Sequence, residues 1–218
     1  MPEKLTLVIG NKNYSSWSLR PWLLMRQMGI PFEEILIPLY RPETKERILT
    51  YSPSGKVPAL REGDRVVWES LAIAEYLAEM FPRMNLWPED PAARALARSV
   101  SSEMHAGFHA LRSELPMNIR RNPASVPMSE AARADAARIQ AIWRECRARY
   151  GGAGPFLFGR FSIADAMYAP VVFRFFNYSV DRDEVASAYQ ETIFALPALQ
   201  EWVAAAKTEP WMIAASER

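Results

Sequence analysis

Two adjacent serines, Ser15 and Ser16, stand where a polar loop gives way to apolar residues at helical spacing, Ser18 to Met28. Hydroxyls at a helix start have two uses. They cap the first free N–H groups, or they donate to an anion that the helix dipole also favours. A second pair, Glu69 and Ser70, falls where a strand passes into a helix. Backbone N–H groups there point at a bound carboxylate, Ser70 adds a donor, and Glu69 can take an ammonium. The plainer use of the same pair is a serine cap beside an exposed glutamate. Between the two, Val57-Pro58 opens a predicted strand, where proline is tolerated only at an edge or a start. The free main-chain groups of Val57, with Lys56 beside it, can pair with an extended ligand as with an added strand.

His105 and His109, the only histidines, are four apart on one predicted helix and face the same way, with Arg112 nearby. A metal needs a third ligand, and none of suitable type lies on that face, so no metal is expected. Met104, Phe108, Leu111 and Met117 are candidates to line an apolar pocket, although this spacing also suits a core. Arg174, between Phe173 and Phe175, is expected to carry its head to the surface. Ser162-Ile163-Ala164-Asp165 reads as a capping box, a folding device.

These residues need elements to hold them. Leu5 to Gly10 reads as a strand and Ser18 to Met28 as a helix ended by Gly29-Ile30-Pro31. Phe32 to Pro38 is a second strand and Arg41 to Leu49 a short helix. Val57 to Arg61 and Arg65 to Trp68 form a hairpin about Glu62-Gly63-Asp64, and Ser70 to Met80 an amphipathic helix. The order β-α-β-α-β-β-α is that of a thioredoxin-like α/β domain, assigned to residues 1–82. Residues 83–91 lie in a proline-rich stretch and are assigned as a linker. Residues 92–218 form an all-α domain, with helices at about Ala92 to Leu115, Ser129 to Tyr150, Ile163 to Tyr178, Asp183 to Phe194 and Pro197 to Lys207.

Composition narrows the partners. Lys and Arg number 26 against 25 Asp and Glu, a net charge of +1 that supplies no basic field for nucleic acid. The one cysteine, Cys146, forms no intramolecular disulfide. No apolar run reaches the roughly 18 residues of a membrane span, and the N-terminus lacks a secretory pattern, so a cytoplasmic protein is expected.

With Asn13-Tyr14-Ser15-Ser16-Trp17-Ser18-Leu19-Arg20, Ser54-Gly55-Lys56-Val57-Pro58-Ala59-Leu60 and Trp68-Glu69-Ser70-Leu71-Ala72-Ile73, the chain resembles the cytosolic glutathione transferases along its whole length. Its Ser-Ser-x-Ser-x-Arg segment is similar to that of the zeta class, which includes maleylacetoacetate isomerase. Glu103-Met104-His105-Ala106-Gly107-Phe108 resembles a motif of the beta class.

The resemblance implies glutathione as co-substrate, a small electrophile as second substrate and a homodimer. It implies Ser15 as the hydroxyl that activates the thiol, with Ser16 second, and His105 approaching the sulfur from the second domain. It implies a cis Val57-Pro58 bond, with Lys56, Val57, Glu69 and Ser70 holding the tripeptide. A thiol has a pKa of about 8.5, and lowering it by two units takes about 2.7 kcal/mol. One hydroxyl donating to the anion supplies roughly 1.5 to 3 kcal/mol, so one serine is sufficient. Cysteine is absent from this position, which sets protein-thiol redox chemistry aside. Three activities remain: conjugation of glutathione to a small hydrophobic electrophile, glutathione-dependent cis-trans isomerisation of a small dicarboxylate, and a non-catalytic binding module. The isomerase would need arginines converging on the pocket, with Arg20, Arg112 and Arg174 as candidates.

Overall fold

The computed structural model describes residues 4–217. Four strands form one mixed sheet in the order β2-β1-β3-β4. β1 (Leu5–Ile9) runs parallel to β2 (Glu33–Leu36) and antiparallel to β3 (Ala59–Glu62), which pairs antiparallel with β4 (Arg65–Trp68). A parallel neighbour demands a crossover, and α1 (Ser16–Gln27) is that crossover. The hairpin turns at Gly63, whose φ of 55° suits a residue without Cβ. α3 (Ser70–Met80) packs beside α1, while α2 (Thr44–Leu49) covers the opposite sheet face over Val8, Ile37 and Ala59. This is the expected thioredoxin-like arrangement.

The second half is helical: α4 (Pro91–Ala106), α5 (His109–Glu114), α6 (Glu130–Tyr150), α7 (Ile163–Asn177), α8 (Glu184–Phe194) and α9 (Pro197–Thr208). One hydrophobic core continues from Leu7, Leu23 and Ile73 through to Trp143, Val172 and Phe175. α7 lies at its centre, with 14 of its 15 residues buried, as suits a helix that is apolar on every side. The capping box forms as expected. Asp165 accepts from Ser162 N–H and Oγ, and also from Leu157 N–H and the Tyr189 hydroxyl. Burial still pushes its carboxyl up to about 6. No helix among the described residues is long and apolar enough to cross a membrane.

Two expectations are corrected. The single helix at Ala92 to Leu115 is broken by Gly107, which is extended, and Phe108, which is left-handed at φ 58°. A Cβ on Gly107 would stand 2.8 Å from the Glu103 carbonyl oxygen. Arg112 reaches back across the break, its Nη1 donating to the Gly107 carbonyl at 2.8 Å. His105 and His109 therefore lie on different helices. Arg174, expected at the surface, is only 5 % exposed. α7 offers it no polar face, so it points inward and donates to the carbonyls of Arg112 and Leu115 at the end of α5.

The chain after α9 returns to the loop that precedes α1. Glu209 accepts the backbone N–H groups of Lys12 at 2.6 Å and Asn13 at 3.0 Å, while Trp202 Nε1 donates to the Lys12 carbonyl. The Lys12 ammonium pairs with Glu34 at 2.7 Å and lies over the rings of Trp22 and Trp202. This loop delivers the two serines.

Candidate active site

The structure puts the two hydroxyls to different uses. Ser15 is the N-cap of α1: it accepts from the Ser18 N–H at 3.3 Å, and its hydroxyl donates to Ser18 Oγ at 2.8 Å. Ser16 Oγ instead accepts from Arg174 Nη2 at 3.2 Å and lines a cavity. A hydroxyl has one proton and two lone pairs, so the Ser16 proton is left for whatever enters that cavity.

Two cavities meet here, sharing Trp17 and Arg112 as a common wall. The first, about 260 Å³, gathers Lys56, Val57, Pro58, Glu69, Ser70 and His105, with Ser54 also in its lining. The Val57-Pro58 bond is cis, as the resemblance implied, and Val57 precedes the ladder that begins at Ala59. Glu69 holds φ at 69°, a conformation that costs a non-glycine residue about 1 to 3 kcal/mol and is characteristic of functional sites. Ser70 follows it at the first turn of α3. Its hydroxyl is buried, with the residue 1 % exposed, and has no protein partner. A donor so placed, with the first N–H groups of α3, suits a carboxylate.

His105 Nε2 lies 3.6 Å from Glu69 Oε2, its ring edge packs on Trp17 at 5.2 Å between centroids, and Nδ1 is buried without a protein partner. Burial lowers its pKa; Glu69 opposes this, and Arg20 and Arg112 add to it. The imidazole is therefore neutral at neutral pH.

The second cavity, about 250 Å³, takes Ser16, Arg174, His109, Tyr14, Ser113 and Met117 among its walls. Two guanidinium groups lie against the Trp17 ring, Arg20 at 4.3 Å and Arg112 at 4.8 Å from its centroid. Burial pushes Arg174 down to about 10, with Arg112 adding to the effect, and Arg20 is lowered by burial and then by both other arginines. These cations feel one another, and among the described residues none of the three forms an ion pair.

Of the expected apolar lining, Met104, Phe108 and Leu111 belong to the core instead, while Met117 and Arg112 reach the cavities. The walls are more polar and more cationic than the sequence suggested. Trp17 was missed, although an aromatic between the serines of one helical turn was the available signal. A cleft bounded by Trp87, Tyr150 and Phe158 is larger, at about 280 Å³, but holds none of the candidate residues.

Residues 14–80 match the family model of the glutathione S-transferase N-terminal domain, and residues 129–205 that of the C-terminal domain. The chain belongs to the glutathione S-transferase family. A glutathione S-transferase, GstB, of Escherichia coli (strain K12) is 26% identical over 174 residues, 78% of this chain and 84% of that one. A probable maleylacetoacetate isomerase of Caenorhabditis elegans is 35% identical over 98 residues, so the match spans 45% of this chain and 45% of the nematode protein. Among solved structures, a glutathione transferase homolog from Burkholderia GL BGR1, with bound glutathione, superposes with a TM-score of 0.71 at 24% identity. It covers 95% of this chain and 100% of that one, which establishes the shared glutathione transferase fold.

Proposed function

We propose that this transferase binds glutathione in the first cavity, holds the thiolate against Ser16 and presents it to a small electrophile in the second. The observation that carries the reading is the juxtaposition of two incomplete sites across one wall. Ser70 has a buried hydroxyl without a partner, and Ser16, whose hydroxyl accepts from Arg174, lines the neighbouring cavity.

The γ-glutamyl carboxylate goes to Ser70 and the start of α3, and its ammonium to Glu69. The cysteinyl unit pairs with the main chain of Val57 beside Pro58, with Lys56 nearby. The sulfur then lies toward the N-terminus of α1, where Ser16 donates to it and the helix dipole adds roughly 0.3 to 1 kcal/mol. The capping bonds of Ser15 support Ser16 as the donor, with Ser15 fixing the helix start. His105, 3.6 Å from Glu69, steadies the γ-glutamyl end as a neutral imidazole. The reaction is alkyl or aryl transfer to sulfur, driven by thiolate formation and by holding both reactants close. A homodimeric state, which rests on the family resemblance, and a cytoplasmic location, which rests on the sequence pattern, are part of this reading.

A second reading, glutathione-dependent isomerisation of a small dicarboxylate, is favoured by Arg112 and Arg174 in the walls of the second cavity, with Arg20 buried against the Trp17 ring. In it the thiolate adds to a double bond and leaves again.

Calorimetric titration with glutathione tests the common core of both. Wild type is expected to bind in the micromolar to low-millimolar range, and Ser70→Ala about 10- to 100-fold more weakly, the value of a hydrogen bond to a charged group. No binding by wild type would sink both readings and leave a non-catalytic module.

A further inference from the structure

α7 contains one cation, Arg174, itself buried in a helix of which 14 of 15 residues are buried. A guanidinium there is costly unless each donor is used. Nη1 serves two carbonyls at the end of α5, which is a structural duty. Nη2 has a different partner: it donates to Ser16 Oγ, 158 residues away in sequence and at the start of α1.

That bond has a direction with chemical consequences. A cation on one lone pair of the hydroxyl turns its proton away from Arg174 and polarises the O–H, so that the next acceptor in line receives a stronger hydrogen bond. Among the described residues no carboxylate pairs with Arg174, so its charge is not cancelled locally.

We propose that Arg174 is a positioning residue for thiol activation, acting through Ser16 to orient its hydroxyl and strengthen its donation to the glutathione sulfur. The proposal rests on Ser16 being the donor to sulfur. In the step itself the S–H bond breaks, its proton leaves to water in the open cavity, and the electron pair stays on sulfur. Ser16 keeps its proton and shares it with the sulfur, and Arg174 keeps its own and shares one with Ser16 Oγ. The second domain thus reaches the sulfur through a side chain of the first.

The other titratable groups about this point are Tyr14 and Arg20, close to Ser16 in the chain, His109 and Arg112 from α5, and Tyr178 just after α7, which acts on Arg174. His105 from α4, Glu69 at the start of α3 and Lys56 complete the set across the shared wall. Arg20 also touches Ser16, but at its carbonyl, so it does not orient the hydroxyl.

The test is a double-mutant cycle read as the pKa of the enzyme-bound thiol, from the ultraviolet absorbance of the thiolate at saturating glutathione. Arg174→Gln is expected to raise that pKa by about one unit, a tenfold loss of thiolate preference, with glutathione affinity within threefold of wild type. In the Ser16→Ala background the same substitution should shift it by less than about a third of a unit, because the route through the hydroxyl is gone. An unchanged pKa in Arg174→Gln would overturn the proposal. An equal shift in both backgrounds would overturn it as well, since the arginine would then act on sulfur by its field alone. If the glutamine variant does not fold, Arg174→Lys replaces it in the same cycle, and the same two comparisons decide. Wild type that fails to bind glutathione brings down the functional reading instead, a result distinct from either of these.

Discussion

Replacing each serine in turn separates capping from chemistry. Ser16→Ala removes a donor to a charged sulfur, worth about 1.5 to 3 kcal/mol, which is about one to two pKa units. If the bound thiol lies about two units below its free value of about 8.5, the variant moves it from about 6.5 to between 7.5 and 8.5. At pH 7 the thiolate fraction falls from about three quarters to between a quarter and a thirtieth, so kcat/KM drops about 3- to 25-fold. The greater nucleophilicity of a more basic thiolate offsets part of this loss. Raising the pH should restore the rate, because the acid limb has only moved to higher pH. Ser15→Ala removes a cap with bonds to Ser18 at 3.3 and 2.8 Å, worth about 0.5 to 2 kcal/mol. In a chain of this size that lowers Tm by about 1 to 8 °C and leaves the pH profile in place. The assay is kcat/KM for a chloronitroarene from pH 5.5 to 9, with thermal melts alongside. A shifted acid limb in Ser15→Ala together with an unshifted one in Ser16→Ala would refute the assignment.

The cationic second cavity predicts selectivity: a carboxylate-bearing chloronitroarene should exceed its neutral isostere in kcat/KM by about 10-fold or more, and Arg112→Gln should erase most of that advantage. Equal rates for the two in wild type would show that the arginines do not meet substrate. For Asp165, burial raises the folded pKa to about 6 above its usual 3.8, so the folded state holds this proton more tightly than the unfolded one. Its stabilising share is fullest below the unfolded value and is lost as pH rises through about 6. The stability of wild type relative to Asp165→Asn, by urea denaturation, should therefore fall by about 2 kcal/mol from pH 4 to pH 7. A rise would mean that the four hydrogen bonds outweigh burial. Glu209→Ala strands the amides of Lys12 and Asn13, each costing about 1 to 3 kcal/mol, and should lower Tm by at least about 4 °C. An unchanged melt would show that the loop before Ser15 holds itself.

What was legible in the sequence was local. The hairpin showed in Glu62-Gly63-Asp64, the start of α3 in the passage from Trp68 to Ser70, and the capping box in Ser162 and Asp165, because each is specified by a few neighbouring residues. The break after α4 was not legible, since apolar spacing continues across it and one glycine inside a helical pattern is ordinarily tolerated. Its cause is tertiary: Gly107 stays close to the Glu103 carbonyl while Arg112 ties the far side. The burial of Arg174 does have a signal in the sequence. Between Asp165 and Asn177 it is the only charged residue, so no polar face existed along which it could reach water. The division of labour between Ser15 and Ser16 turns on rotation by a single residue about a helix start. Sequence spacing cannot resolve that, because both positions suit a capping serine.

The arginines also tie the proposed site to both halves of the chain. A thiolate needs donors without competing carboxylates, and a lone domain of four strands has little interior in which to hide a cation. α7 supplies that interior, and it brings Arg174 to Ser16 only because α1 packs against it across the domain boundary. Arg20 spans the same boundary, donating to the Met167 carbonyl of α7 and to the Ser16 carbonyl. The position of the serine hydroxyl is therefore set jointly by both halves of the chain. Substitutions in α7 that shift its packing by a fraction of an ångström should reach the serine hydroxyl as surely as changes beside it, because the connecting bonds are direct and buried.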